Sequence, residues 1–163
     1  MKIEHGYIPG IVGDIVSLHA RYYNQQAGFG AFFESKLAVE LGEFVSRLPN
    51  RQNQIWHISH SGRIAGSIAI NGGNGVDDGN DCAQLRWFIV SDDLRGRGAG
   101  GQLLKKAIDF CRDRHFSAVE LWTFDGLDAA RHLYLKSGFR LNSEHKGKHW
   151  GTEVVEQKYR LHL

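Results

Sequence analysis

Apolar residues recur along this chain at two spacings, and the spacing divides it into elements. Residues 14 to 27 and 31 to 48 carry them at helical intervals. In the second, Phe32, Phe33, Leu37, Leu41, Phe44, Val45 and Leu48 share a stripe that Pro49-Asn50 ends, and Gly28-Phe29-Gly30 joins the two as a helical hairpin. Short apolar runs follow. Residues 55 to 58 and 63 to 70 read as strands around Ser61-Gly62, with a hairpin as the simplest connection. Residues 71 to 80 are polar, glycine-rich and long for a hairpin tip; their composition reads as disorder, with a mobile segment as the alternative. Residues 83 to 90 form the next strand. Residues 98 to 114 form a helix with Leu103, Leu104, Ala107, Ile108 and Cys111 on one stripe. A strand over 118 to 124 leads to Asp125, which is expected to cap a helix from 127 to 136. Gly138 suits the left-handed position past its end. Strands beginning at 139 to 141 and covering 152 to 161 complete the chain. Helices between central strands and hairpins at both ends predict an α/β fold: a mixed, largely antiparallel central sheet flanked by helices.

Composition narrows the picture. A chain of 163 residues suits one domain, spanning 1–163, that buries roughly 70% of its unfolded surface. The net charge of +2 is spread over interspersed acids and bases, without the basic stripe that nucleic-acid binders need, so no nucleic acid is expected as a partner. Cys82 and Cys111 are far apart in sequence and read as reduced core thiols. The first residues lack the apolar stretch of a signal peptide, and no run approaches the roughly 18 apolar residues of a membrane span, which predicts a cytoplasmic protein without a membrane partner. Of the histidines, His57 and His60 sit on a strand at a spacing that sends them to opposite faces. His145 and His149 fall in a Lys/Gly-rich loop, and no metal site is expected from either pair.

The candidate chemistry lies between Val90 and Leu104. There a strand end, the glycine-rich turn Arg95-Gly96-Arg97-Gly98-Ala99-Gly100-Gly101 and the first turn of a helix follow one another. Glycines let backbone N–H groups turn inward with no Cβ in the way, and the helix start adds partial positive charge, so the run reads as a phosphate cradle flanked by Arg95 and Arg97. The Gly-Lys-Ser/Thr triplet of a P-loop is missing. The turn also comes too late in the chain for a dinucleotide fold.

Arg95-x-x-Gly98-x-Gly100, between the apolar strand Phe88-Ile89-Val90 and an amphipathic helix, resembles the acyl-CoA pyrophosphate loop of the GCN5-related N-acetyltransferases, the GNAT superfamily. The segment from Ala129-Ala130 through Leu133-Tyr134 to Gly138-Phe139 resembles that superfamily's alanine-x-x-leucine-tyrosine, glycine-phenylalanine segment. The likeness covers residues 55 to 142 well and the flanks poorly. Leu18-His19-Ala20-Arg21-Tyr22-Tyr23 and residues 121 to 131 also look like acetyltransferase modules fused to MarR-type regulators, of which this chain would be the enzymatic half.

The resemblance implies acetyl-CoA as co-substrate. Its pyrophosphate would lie on the N–H groups of Arg97 through Gly101, held also by Arg95 or Arg97. Its pantetheine arm would lie along Phe88-Ile89-Val90, where one N–H polarises the thioester carbonyl, a contribution of about 3 kcal/mol. Tyr134 matches the tyrosine that gives a proton to the leaving thiolate, with a core tyrosine as the alternative. A position that is glutamate in several members falls on Gln84, which cannot accept a proton but can orient a water. Glu34, Glu120, Asp81 and His60 are the other candidate bases. The helix before the tyrosine departs too, with Leu127 where asparagine is common.

Period-two alternation puts Gln84, Arg86 and Phe88 on one strand face. Arg86 then either reads an acceptor carboxylate or sits in an internal salt bridge, for example to Glu120. Trp150 is core or lines the acceptor cleft, and Tyr22, Tyr23, Phe29 and Glu34 are acceptor contacts that the resemblance implies. The function expected is acetyl transfer to the primary amine of a small molecule, directly within a ternary complex. A protein or peptide acetyltransferase would need an acidic groove, to which Asp77, Asp78 and Asp81 supply little; a sensor that binds acyl-CoA without turnover is the remaining alternative. The resemblance leans toward a homodimer.

Overall fold

The computed structural model describes residues 1–48, 50–73 and 81–163. The glycine-rich stretch around Asp77 and Asp78, and Pro49, lie outside them. In chain order the elements are β1 (Glu4–His5), α1 (Ile11–Ala27), α2 (Ala31–Ser46), β2 (Asn53–His60), β3 (Arg63–Asn71), β4 (Cys82–Val90), α3 (Ala99–Asp113), β5 (Ala118–Phe124), α4 (Asp128–Lys136), β6 (Arg140–Gly147) and β7 (Val154–His162). The strands form one sheet in the order β1-β2-β3-β4-β5-β7-β6. Only β4 and β5 pair in parallel; the other neighbours are antiparallel, as the alternation of hairpins and crossover helices predicts.

Both faces of the sheet are covered, which is why β3 reads as an almost unbroken apolar run. On one face Ile58, Ile68, Ile70, Leu103, Leu104, Ala107, Cys111 and Tyr134 pack together under α3 and α4. On the other, α1 and α2 bury Ile11, Ile15, Phe33, Leu37, Leu41 and Phe44 against Ile55, Ala69, Trp87 and Phe124. Each such buried aliphatic side chain contributes about 2 kcal/mol to holding its helix on the sheet. Phe29, in the turn of the helical hairpin, is 2% exposed and closes this second core.

Three expectations are corrected. Asp125 does not cap α4: the N-cap is Leu127, without a side-chain hydrogen bond, and the Asp125 N–H is tied instead to the Val155 carbonyl. The strand after Phe139 runs on to Gly147, so His145 lies in β6 and not in a loop; its Nε2 is 3.7 Å from a Glu156 oxygen on β7. Its exposed, polar sequence hid it, because an outermost strand has little apolar burial to signal it.

The third correction concerns β4. Ser67 pairs with Ile89 but Ala69 with Arg86, so Ile68 faces both Trp87 and Phe88 across a β-bulge. Trp87 takes φ 49°, rare for a bulky residue, and Ser67 Oγ donates to its carbonyl at 2.8 Å. The extra residue breaks the alternation. Trp87 joins Arg86 on the α2 side, and Phe88 turns to the other core with Tyr134, not to the face of Gln84 and Arg86.

Candidate functional site

β4 and β5 begin as neighbours and then part. They pair at Cys82–Ala118, Ala83–Val119 and Gln84–Glu120 and no further, so the rest of β4 has no partner strand on its β5 side. The gap opens into a cavity of about 340 Å³, bounded by α1, α2, β4, β5 and α4. Gln84, Arg86, Phe88, Tyr134 and Trp150 all line it, drawn together from three separate stretches of sequence: β4, α4 and the segment between β6 and β7.

Tyr134 sits on α4 with its ring 6.0 Å from Phe88 and 5.9 Å from Phe139. Burial pushes its hydroxyl far above the usual phenol range, with Tyr23 and Tyr159 adding to it. It is therefore a neutral donor at any physiological pH.

The glycine turn lies at the end of β4. After a short 3-10 turn at Asp92–Leu94, Gly96 and Gly98 both take φ 75°, and Gly98 is the N-cap of α3. Among the described residues, no acceptor stands at hydrogen-bonding geometry to the backbone N–H groups of residues 96 to 101. Consecutive unpartnered donors at a helix start are a receptor for a phosphate group, and these residues fit a diphosphate-bearing ligand on that ground. The glycines differ in role. A Cβ on Gly100 would come 2.9 Å from Leu133 Cδ1, so this glycine lets α3 approach α4, whereas Gly101 faces open space. Ala99 is buried beneath the turn. Arg97 is exposed, while Arg95 is held by Asp92 at 2.7 Å and over the ring of Tyr22 at 5.2 Å.

Arg86 is in an ion pair, but with Glu40 on α2 at 2.6 Å and not with Glu120. Lys36 holds the other Glu40 oxygen at 2.9 Å. Burial raises the Glu40 carboxyl, but these two cations outweigh it and keep it below the ordinary range. Glu120 is tied up elsewhere, to Arg160 at 2.8 Å and Lys158 at 3.2 Å. Neither Glu120 nor Glu34, Asp81 and His60, all three exposed, lines the cavity. Of the residues considered for moving the amine proton, only Gln84 does.

Several cavity residues were not singled out from sequence. His19 is 5% exposed, and its Nδ1 meets the Ile15 carbonyl at 2.8 Å, which leaves Nε2 as an acceptor. Burial lowers its pKa to about 4, against a smaller upward pull from that bond. Phe33, Lys36, Glu40 and Phe124 line the cavity beside Tyr23, Phe29 and Trp150, whereas Tyr22 does not. Helical spacing on α2 marked Phe33 only as core. Both cysteines lie outside the cavity, and burial raises Cys82 to about 11 and Cys111 to about 12, so neither is a thiolate that could carry an acyl group. Among the described residues there is no group of three or more His, Cys, Asp or Glu that could hold a metal, and no helix long and apolar enough to cross a membrane.

A model of the acetyltransferase (GNAT) family matches residues 15–139. An uncharacterized N-acetyltransferase of Methanocaldococcus jannaschii is 25% identical over 77% of this chain and 56% of its own length. A protein named probable N-acetyltransferase camello, from Xenopus tropicalis, is 26% identical over 82% of this chain and 60% of its own. The chain thus spans less than two thirds of either relative. Among solved structures, a ribosomal-protein-alanine N-acetyltransferase of Brucella melitensis shares the fold at a TM-score of 0.77, with 16% identity and full coverage of both chains. A Salmonella typhimurium protein solved with its cofactor acetyl-CoA does so at 0.74, with 15% identity over 100% of this chain and 94% of that one.

Proposed function

Because the chain belongs to the acetyltransferase (GNAT) family, we propose that it moves an acetyl group from acetyl-CoA to the primary amine of a small molecule, directly within a ternary complex. The observation that carries the proposal is the opening between β4 and β5, where Tyr134 lines one end of a cavity and the unpartnered N–H groups of residues 96 to 101 follow at the end of the same strand. Acetyl-CoA, when bound, supplies the acetyl group as a thioester. Residues 96 to 101 hold the diphosphate, with Arg97 adding a full charge and Arg95 staying with Asp92. The free edge of β4 along Phe88, Ile89 and Val90 takes the pantetheine arm as an added strand and presents an N–H to the carbonyl oxygen.

The amine nitrogen attacks the carbonyl carbon, the C–N bond forms and the C–S bond breaks. Tyr134, neutral and buried, gives its hydroxyl hydrogen bond or proton to the departing sulfur. Gln84 orients a water that receives the amine proton. Neither thiol is ionised, which supports direct transfer over an acyl-cysteine relay. The two phrases that resemble MarR-fused modules contribute His19, Tyr23, Leu121, Trp122, Thr123, Phe124 and Leu127 to the cavity. What such modules share with this chain is on this reading the acceptor site.

Calorimetry with coenzyme A, followed by thiol release across a panel of amines, tests the proposal. Binding at micromolar to submillimolar coenzyme and amine-dependent release are expected. Binding with no release on any amine would turn the reading to a sensor, and no heat at millimolar coenzyme would end it.

A further inference from the structure

The acceptor end of the cavity has two chemically distinct walls. One is aromatic: Tyr23 and Phe33 meet edge-on at 5.6 Å, Phe29 and Phe124 lie 5.2 Å apart, and Phe124 and Trp150 lie 5.8 Å apart. The other is the Lys36–Glu40–Arg86 cluster, in which two cations share one carboxylate. Both Glu40 oxygens are engaged, so the cluster keeps one net positive charge. Glu40 is also the one carboxylate among the described residues that line the cavity.

Arg86 lies over the Trp87 ring at 4.5 Å, which sets the plane of its guanidinium. Its bond to Glu40 uses Nη2, leaving Nε and Nη1 without an acceptor among the described residues. Lys36 likewise has donors to spare. An acid group entering here meets two cations and fixed donors, whereas a second ammonium meets no available carboxylate. Apart from Glu40 the described residues of the cavity offer the reacting amine no carboxylate, only acceptors on Gln84, Asn71, Thr123, His149 and Nε2 of His19 among their side chains besides the tyrosine hydroxyls. The volume is that of a small-molecule pocket rather than a groove for a peptide chain.

Resting on the acetyltransferase reading above, we infer that the acceptor is a primary amine carrying one carboxylate and an aromatic or large apolar body, an aromatic amino acid being the simplest example. Arg86 and Lys36 take the carboxylate, and the rings of Phe29, Phe33, Phe124 and Trp150 take the body. Burying an acid against these donors is favourable because the charge is paired, and the apolar body adds contact area that a short amino acid lacks.

The test uses the whole chain and four amines: phenylalanine, phenylalanine amide, glycine and spermidine. Thiol release should give phenylalanine a kcat/KM at least about tenfold above each of the others, the size of one charge-assisted contact or one well-buried ring. In the variants R86Q and K36Q the preference for acid over amide should shrink by about tenfold, through KM. Calorimetry of phenylalanine against the protein saturated with coenzyme A repeats the comparison without turnover and should show the same order. Equal affinity for acid and amide, or spermidine as the best acceptor, would overturn the inference while leaving acetyl transfer standing. Absence of coenzyme binding would remove the reading on which it rests, and with it the inference.

Discussion

The backbone N–H of Phe139 donates to the Tyr134 carbonyl at 3.0 Å, and the two rings meet edge-on at 5.9 Å. Between them Gly138 takes φ 100° and donates to Leu135 at 3.1 Å. Together these bonds make a Schellman motif: the glycine that ends α4 also fixes the turn from which Tyr134 projects into the cavity. Spacing of four residues between tyrosine and glycine is thus a geometric requirement of the helix end.

G138A should therefore cost about 1–2 kcal/mol, because an L residue at this φ is strained. The new Cβ would also sit 3.1 Å from Leu161 Cδ1. Urea unfolding at neutral pH reads the loss directly. On the proposed mechanism, turnover should fall more than stability alone explains, since the displaced element is the one bearing Tyr134.

Y134F separates chemistry from packing. The ring and its contacts with Phe88, Phe139 and Tyr159 remain, so thermal stability should change little. Loss of the hydroxyl should lower kcat by about a hundredfold, the low end of general-acid contributions, with coenzyme affinity unchanged. Stopped-flow thiol release with saturating amine gives kcat, and a rate equal to wild type would remove Tyr134 from the mechanism.

How much of this site could be read beforehand depended on the range of the interaction involved. The glycines at 96 and 98 and the Gly138-Phe139 helix end are local devices, and each announced itself within a few residues. The pairing of Arg86 with Glu40 spans 46 positions, and no local pattern chooses Glu40 over Glu120. The bulge was hidden for a different reason. Its positive φ falls on Trp87 rather than on a glycine, and it persists because Ser67 and the surrounding core hold it. His19 had no polar neighbour in sequence to mark it, only its place on an otherwise ordinary helix.

S67A tests that support. Ser67 is fully buried, and its hydroxyl caps the Trp87 carbonyl; removal leaves that carbonyl short of a partner, at a cost of about 1–2 kcal/mol. The bulge is what sends Phe88 toward Tyr134 while Arg86 stays with Glu40. The variant should therefore lose turnover as well as stability, measured by guanidinium unfolding and thiol release on the same preparation. A stability loss with wild-type turnover would show that the bulge keeps its shape without the serine.

His19 gives the fold a pH dependence with a definite sign. Burial lowers its pKa to about 4 from an unfolded value of 6.5, so between those limits the unfolded chain binds the proton that the native chain refuses. The stabilisation is fully present above pH 6.5 and declines as pH falls toward 4. Between pH 7.5 and pH 5 the loss from this one group should be about 2 kcal/mol. H19Q retains an acceptor of similar reach but does not titrate. The unfolding free energy of wild type, followed by urea at the two pH values, should fall by that much more than the variant's. Carboxylates elsewhere titrate alike in both proteins and cancel in the comparison. Parallel pH profiles would mean that the native cavity admits enough water to charge the imidazole.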